Sequence, residues 1–147
     1  MMRIRLQGLL GNIKINGFIL IFLAYAPGVF KESFWSDDYP ALMDTPGFAL
    51  HVLRDGRPTA AGIFSISFSL LDDPSNAWIL RSFALLALLL IFLFLSNRIV
   101  NPKNRNIGII SMAVAFCLPS FQMYVHWSLT WLFLWAGLAG LYSYHFW

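Results

Sequence analysis

The chain has 147 residues, a formal net charge of +3, and a composition of 59% hydrophobic, 17% aromatic and 12% charged residues. Soluble globular domains run at about 45–50% apolar and about 25% charged, and a chain this short has too little interior to hide the excess. The surplus apolar surface must face lipid, which excludes a soluble enzyme, a disordered chain and a nucleic-acid binder.

The single cysteine, Cys117, sits in an apolar run, so neither a disulfide framework nor a thiolate zinc site is available. All acidic residues fall between Glu32 and Asp73, whereas Arg3, Arg5 and Lys14 precede the first apolar run and Arg98, Lys103 and Arg105 follow a later one. Charge blocks that alternate in this way mark loops on opposite faces of a bilayer.

In chain order, the first span is Ile15 to about Phe30, loosened at its outer end by Pro27-Gly28. It reads as an uncleaved anchor, because Pro27 directly after Ala24-Tyr25-Ala26 opposes signal-peptide cleavage. The second span, Trp78 to Ser96, contains an uninterrupted apolar run, Leu85 to Leu95; at about 1.5 Å per residue it covers roughly 28 Å. Asp73-Pro74 supplies a cap and a first-turn proline ahead of it. Trp78 and Arg81 are expected at the outer interface, with the guanidinium snorkelling outward.

From Ile107 to Trp147 there is no Lys, Arg, Asp or Glu, which predicts a helical hairpin broken between Pro119 and Trp127. The expected fold is therefore an all-α membrane protein, one membrane domain over residues 1–147. Its spans are about 15–30, 78–96, 107–121 and 127–147, with an outer loop 31–77 and a cytoplasmic loop 97–106. The positive-inside rule puts the N-terminus in the cytoplasm and the acidic loop outside.

A loop of that length is functional or disordered, and this one carries structure signals. Ala41 to Arg54 predicts a short helix interrupted near Pro46-Gly47, Asp55-Gly56 a turn, and Arg57-Pro58 the start of a helix to about Leu71. Ser65, Ser67 and Ser69 alternate with apolar residues as a strand would; a helix lying in the interface is the preferred reading. Gly137-Leu138-Ala139-Gly140 is the one small-residue signal for close helix packing.

Asp37 and Asp38 follow the first span within Trp35-Ser36-Asp37-Asp38-Tyr39-Pro40. Two adjacent carboxylates at a low-dielectric boundary repel, so one is driven towards protonation or towards a cation or metal. On a loop braced by Tyr39-Pro40 they take separate roles, one removing a proton and the other binding a cation or a sugar hydroxyl. The same pair also reads as an exposed acidic turn. Arg57 opposes the dipole of its own helix unless an anion such as a phosphate docks there; otherwise it pairs with Asp55 or with lipid phosphate. His126 reads as a packing residue, the Trp127, Trp131, Phe133, Trp135 run as an interface belt and Asp72-Asp73 as a helix cap; His51 lies on the loop within range of the acidic pair, with no spacing that makes this specific. No phosphate-binding glycine loop, zinc-type histidine pair or serine elbow is present.

A first span followed by Phe34-Trp35-Ser36-Asp37-Asp38-Tyr39, then Asp55-Gly56-Arg57-Pro58, then Asp73-Pro74-Ser75 before a leucine-rich span, resembles the amino-terminal part of the serotype-conversion (Gtr-type) O-antigen glucosyltransferases, which belong with the GT-C membrane glycosyltransferases. The resemblance covers about residues 15–125. It implies a polyprenyl-phosphate-linked sugar as donor, a cell-surface polysaccharide as acceptor, and transfer at the outer face of the bacterial inner membrane. It makes Asp37 or Asp38 the base, leaves the other to orient substrate or a divalent metal (magnesium or manganese), and places Tyr39 and Arg57 on the substrate. Members of that family have many more spans, so the chain is expected to be cut short, as a fragment, a frameshifted gene or a degenerate copy, and to lack much of the acceptor pocket. Two other readings are a small non-enzymatic four-span protein, such as a lipid-carrier flippase or accessory subunit, and a phage-type pore.

The topology is testable. A thiol introduced by Asp37→Cys should react with an impermeant maleimide on intact spheroplasts, and one introduced by Lys103→Cys only after permeabilisation. Labelling of both from the same side would remove the assigned orientation.

Overall fold

A computed structural model describes residues 13–30, 43–69, 71, 76–98, 104–126 and 130–146, of which His126 is described by its backbone alone. Seven helices and no strand occur among the described residues: α1 (Ile13–Val29), α2 (Thr45–Arg54), α3 (Pro58–Ser69), α4 (Ala77–Arg98), α5 (Arg105–Phe116), α6 (Pro119–His126) and α7 (Trp131–Phe146). The all-α class holds.

The two apolar segments flanking the acidic stretch, α1 and α4, pack against each other antiparallel, and polar contacts tie both ends. Lys14 Nζ donates to Asn97 Oδ1 at one end, and Arg81 Nη1 donates to the Gly28 carbonyl at the other, 3.4 Å away. Between them Ile21, Tyr25 and Val29 of α1 share a buried core with Ala84, Leu88 and Phe92 of α4, and with Ile109, Ala113 and Phe116 of α5. Gly17 allows this approach: a Cβ there would lie 2.6 Å from Phe92 Cζ and 3.3 Å from Ala113 Cβ. The outward residues of α1, Ile15, Ile19, Leu20, Phe22 and Leu23, are apolar and exposed. The helix runs through Pro27. A proline this close to the end deprives only one upstream carbonyl of its partner, and Phe30 N still donates to the Ala26 carbonyl.

The third apolar segment differs from the expected break at 119–127. Its helix ends at Phe116 and resumes at Pro119, with a bend of 63°. Pro119 has no N–H for the carbonyl one turn back and its ring collides with the preceding turn. The carbonyls left at the break are taken up: Tyr25 OH donates to Phe116 O, and Gln122 Nε2 donates to Cys117 O. The chain reverses between α6 and α7 instead, where Thr130 Oγ1 donates to the Tyr124 carbonyl at 2.8 Å. Among the described residues nothing lies within 4 Å of a Cβ added at Gly137 or Gly140, so no close helix approach is made at these glycines.

By length and apolar composition α4, of 22 residues, is able to cross a bilayer; α5 and α6 qualify together as one bent element, and α1 is apolar but has 17 residues.

Replacing Gly17 by Val should lower the stability of the detergent-solubilised chain by about 1–3 kcal/mol through overpacking against Phe92. Gly62→Ala, where an added Cβ meets nothing, should leave it unchanged or slightly raised. Thermal melts of the two variants check this.

Candidate functional site

The acidic stretch between α1 and α4 contains a helical hairpin, α2–α3, and its construction follows from a few residues. Asp44 caps α2 by accepting from Gly47 N at 3.0 Å, and Pro46 sits in the first turn, where its missing N–H costs nothing. The interruption expected near Pro46-Gly47 falls at Asp44, a turn between helical Met43 and Thr45, and Pro46-Gly47 lies in the first turn of the helix that follows. A Cβ at Gly47 would fall 2.0 Å from Asp44 Oδ2.

The other end of α2 is closed by Gly56, at φ +78°. Its N–H donates to Leu53 O at 3.0 Å and that of Arg57 to Val52 O at 3.3 Å, the two bonds of a Schellman cap. Pro58 then opens α3 with its preset φ. The serine alternation is resolved as helix, with Ser67 Oγ donating back to Ile63 O and Ser69 Oγ to Ile66 O; such bonds are open to serine on a helix.

The hairpin is held by aromatic packing. Phe48 of α2 meets Phe64 and Phe68 of α3, with ring centroids 5.9 and 6.4 Å apart. Val52, Ala61, Phe64, Phe68 and Leu71 then form a buried cluster with Ala77 and Leu80 at the start of α4, against which Trp131 and Leu132 of α7 are packed. The hairpin thus covers the beginnings of α4 and α7, the same end of the bundle as the end of α1.

A cavity of about 430 Å³ opens between the hairpin and α7. Phe48, Val52, Ala60, Ile63, Phe64, Leu132, Phe133 and Ala136 make it apolar, with Thr59, Thr130 and Arg57 the polar exceptions. Arg57 is exposed, and Asp55 is engaged at 3.9 Å by His51, one helical turn back. Arg57 makes no ion pair with a described carboxylate, so of its alternative readings the pair with Asp55 is not formed. The arrangement offers one cation beside the open start of α3 and a hydrocarbon-lined space behind it. A second apolar cavity, about 280 Å³, lies between α3, α4 and Trp131, and the buried Trp131 indole N–H has no partner among the described residues. Trp131 and Trp135 do not form a simple lipid-facing belt: Trp131 packs on the hairpin cluster, and Trp135 Nε1 donates to Phe83 O at 3.1 Å.

Asp37, Asp38 and Tyr39 lie outside the described residues, as do the Asp73-Pro74 cap and Trp127. No group of three metal-ligating side chains occurs among the described residues.

Arg81 was expected to snorkel outward and does not. It is 1% exposed, the bulkiest of the fully buried side chains. The reason is position: one turn into α4, on the face turned to α1, its guanidinium reaches the Gly28 carbonyl, and the C-terminal carbonyls of a helix attract a cation. The sequence did hold a signal, since an ionisable residue inside an apolar span is more often functional than incidental. Trp78 is 44% exposed, with its ring 6.5 Å from Phe30.

Comparison of the chain with protein-family models, with curated proteins and with solved structures returned no match.

Gly56→Ala should strain the positive-φ cap by about 1–2 kcal/mol and loosen the attachment of Arg57. Hydrogen exchange should rise across residues 52–61 and stay unchanged in α1 and α4; equal protection throughout would show that the cap does not hold the hairpin.

Proposed function

We propose that this chain is the amino-terminal part of an integral-membrane glycosyltransferase of the bacterial inner membrane. In this reading it takes a sugar, glucose by the family resemblance, from a polyprenyl-phosphate donor and passes it to a cell-surface polysaccharide of O-antigen type. The observation that carries the reading is the cavity rimmed by Arg57. A cation at the mouth of an apolar space matches an amphiphile with an anionic head and a hydrocarbon tail, and a polyprenyl-phosphate sugar is such a molecule.

The membrane arrangement belongs to the same proposal. The spans are α1, α4, the bent pair α5–α6, and α7, with the N-terminus in the cytoplasm and the α2–α3 hairpin on the outer face. A bent span is tolerable in lipid only where its freed carbonyls are satisfied within the protein, and those of Phe116 and Cys117 are.

Asp37 or Asp38 removes the proton of the acceptor hydroxyl as that oxygen bonds to the anomeric carbon. The bond from that carbon to the donor phosphate breaks, and the lipid phosphate leaves as an anion beside Arg57, whose guanidinium stabilises the growing charge. Tyr39, next to the pair, contacts the sugar, and the second aspartate orients substrate or holds a divalent cation.

Two measurements test this with the chain in proteoliposomes. Arg57→Ala should weaken binding of a polyprenyl-phosphate sugar roughly tenfold or more, the scale of a charged hydrogen bond. Asp37→Asn or Asp38→Asn should leave that binding in place and, in the chain completed by its remaining spans, lower transfer by about a hundredfold or more. Unchanged binding in the first variant and unchanged transfer in both of the others would dismiss the reading.

A further inference from the structure

Four helix ends meet at the end of the bundle away from the α2–α3 hairpin. Lys14 at the start of α1 bonds to Asn97 at the end of α4. The Phe94 ring, one turn earlier, stands 4.9 Å from the Tyr142 ring and 6.1 Å from that of His145, near the end of α7. The helix α5 runs parallel to α1, because Gly17 approaches Ala113 and Tyr25 bonds to the Phe116 carbonyl. Arg105, in the first turn of α5, therefore belongs to this end as well.

Lys14, Arg98 and Arg105 give this end a positive charge, and none of them pairs with a described carboxylate. The described carboxylates, Asp44 and Asp55, are on the hairpin, at the other end. A surplus of cations alone marks a solvated face. The aromatic surface around these cations is what sets them apart. Arg98 is exposed and lies over the face of Phe94, its Cζ 5.0 Å from the ring centroid, a contact that steadies the guanidinium in one orientation. Alongside, Tyr142 is 44% exposed, Phe146 80% and Tyr144 87%. Rings so exposed are unfavourable in water and suit the headgroup layer of a bilayer, where a ring meets hydrocarbon and a phenol tip meets water. A free phosphate would neutralise the cations and leave the rings wet. An anionic phospholipid satisfies both.

We propose that this end of the bundle is a binding surface for anionic phospholipid. The Arg98 guanidinium takes the lipid phosphate through its planar N–H fork, Lys14 and Arg105 add attraction, and Tyr142, Tyr144 and Phe146 lie against the glycerol and the upper acyl chain. The proposal rests on the apolar helices lying in a bilayer. It needs neither the transferase reading nor a particular orientation of the chain, and no sugar enters its test.

The probe is phosphatidylglycerol, and the reference is phosphatidylcholine, whose head carries the same phosphate with a cation of its own. In native mass spectrometry of the detergent-solubilised chain, phosphatidylglycerol should bind about tenfold more tightly than phosphatidylcholine. Arg98→Gln should reduce that preference roughly threefold or more. Arg54→Gln, which removes an exposed cation of the hairpin, should leave it unchanged. Equal affinity for the two lipids, or equal losses in the two variants, overturns the proposal; so does displacement of the lipid by inorganic phosphate at matched concentration, which would make this a site for free anions. A second measurement uses the unmodified chain in phosphatidylcholine nanodiscs containing phosphatidylglycerol with a photoreactive head. Peptide mapping should place the attachment within 94–98 or 142–146, and attachment confined to 45–69 overturns the proposal equally.

Discussion

The antiparallel seating of α1 on α4 is the contact from which the rest of the described structure is built: α5 packs on α1 beside it, and α7 lies along α4 from Phe83 to Phe94. It depends on Gly17 leaving room for the Phe92 ring and on a polar tie at each end, Lys14 to Asn97 and Arg81 to Gly28. With those ends fixed, the segment between the helices must start and finish on one side of the bundle, and the α2–α3 hairpin can bury its aromatic face only against the nearby starts of α4 and α7. The cavity beside Arg57 follows from that docking.

The hairpin shows how a short polar stretch acquires a directed site. An aspartate cap, a proline in each first turn and one left-handed glycine hold two helices at a set angle, and the Schellman bond from Arg57 N to Val52 O fixes the backbone that carries the guanidinium. Phe48, Phe64 and Phe68 supply the burial that such short helices need, since isolated helices of this length are marginal in water. The outcome is a charge at the rim and hydrocarbon behind it, which suits the amphiphilic donor proposed for it.

Polar groups inside the bundle are handled sparingly. At the bend between α5 and α6, Tyr25 donates to the Phe116 carbonyl and Gln122 to the Cys117 carbonyl, so the kink is closed by side chains from both near and far in the chain. Thr130 does the same for the reversal into α7. Arg81 differs in kind, because a carbonyl can be satisfied by one donor whereas a guanidinium brings a net charge into the interior.

Much of this architecture could be read from the amino-acid order. Apolar runs, turn dipeptides and proline positions are local signals, so the helical class, the starts of α1 and α3, the turn at Asp55-Gly56 and the helical state of the serine-rich stretch all emerged without coordinates. What the sequence could not supply was which neighbour each side chain would meet. The break moved to Cys117-Leu118 because the steric effect of Pro119 acts on the turn before it. Of the readings open for Arg57, the pair with Asp55 is not formed, and Asp55 stands instead 3.9 Å from His51, one helical turn back. Arg81 looked like an interface residue by its distance from the helix start. Only the face of α4 on which it lies, set by packing against α1, turned it inward.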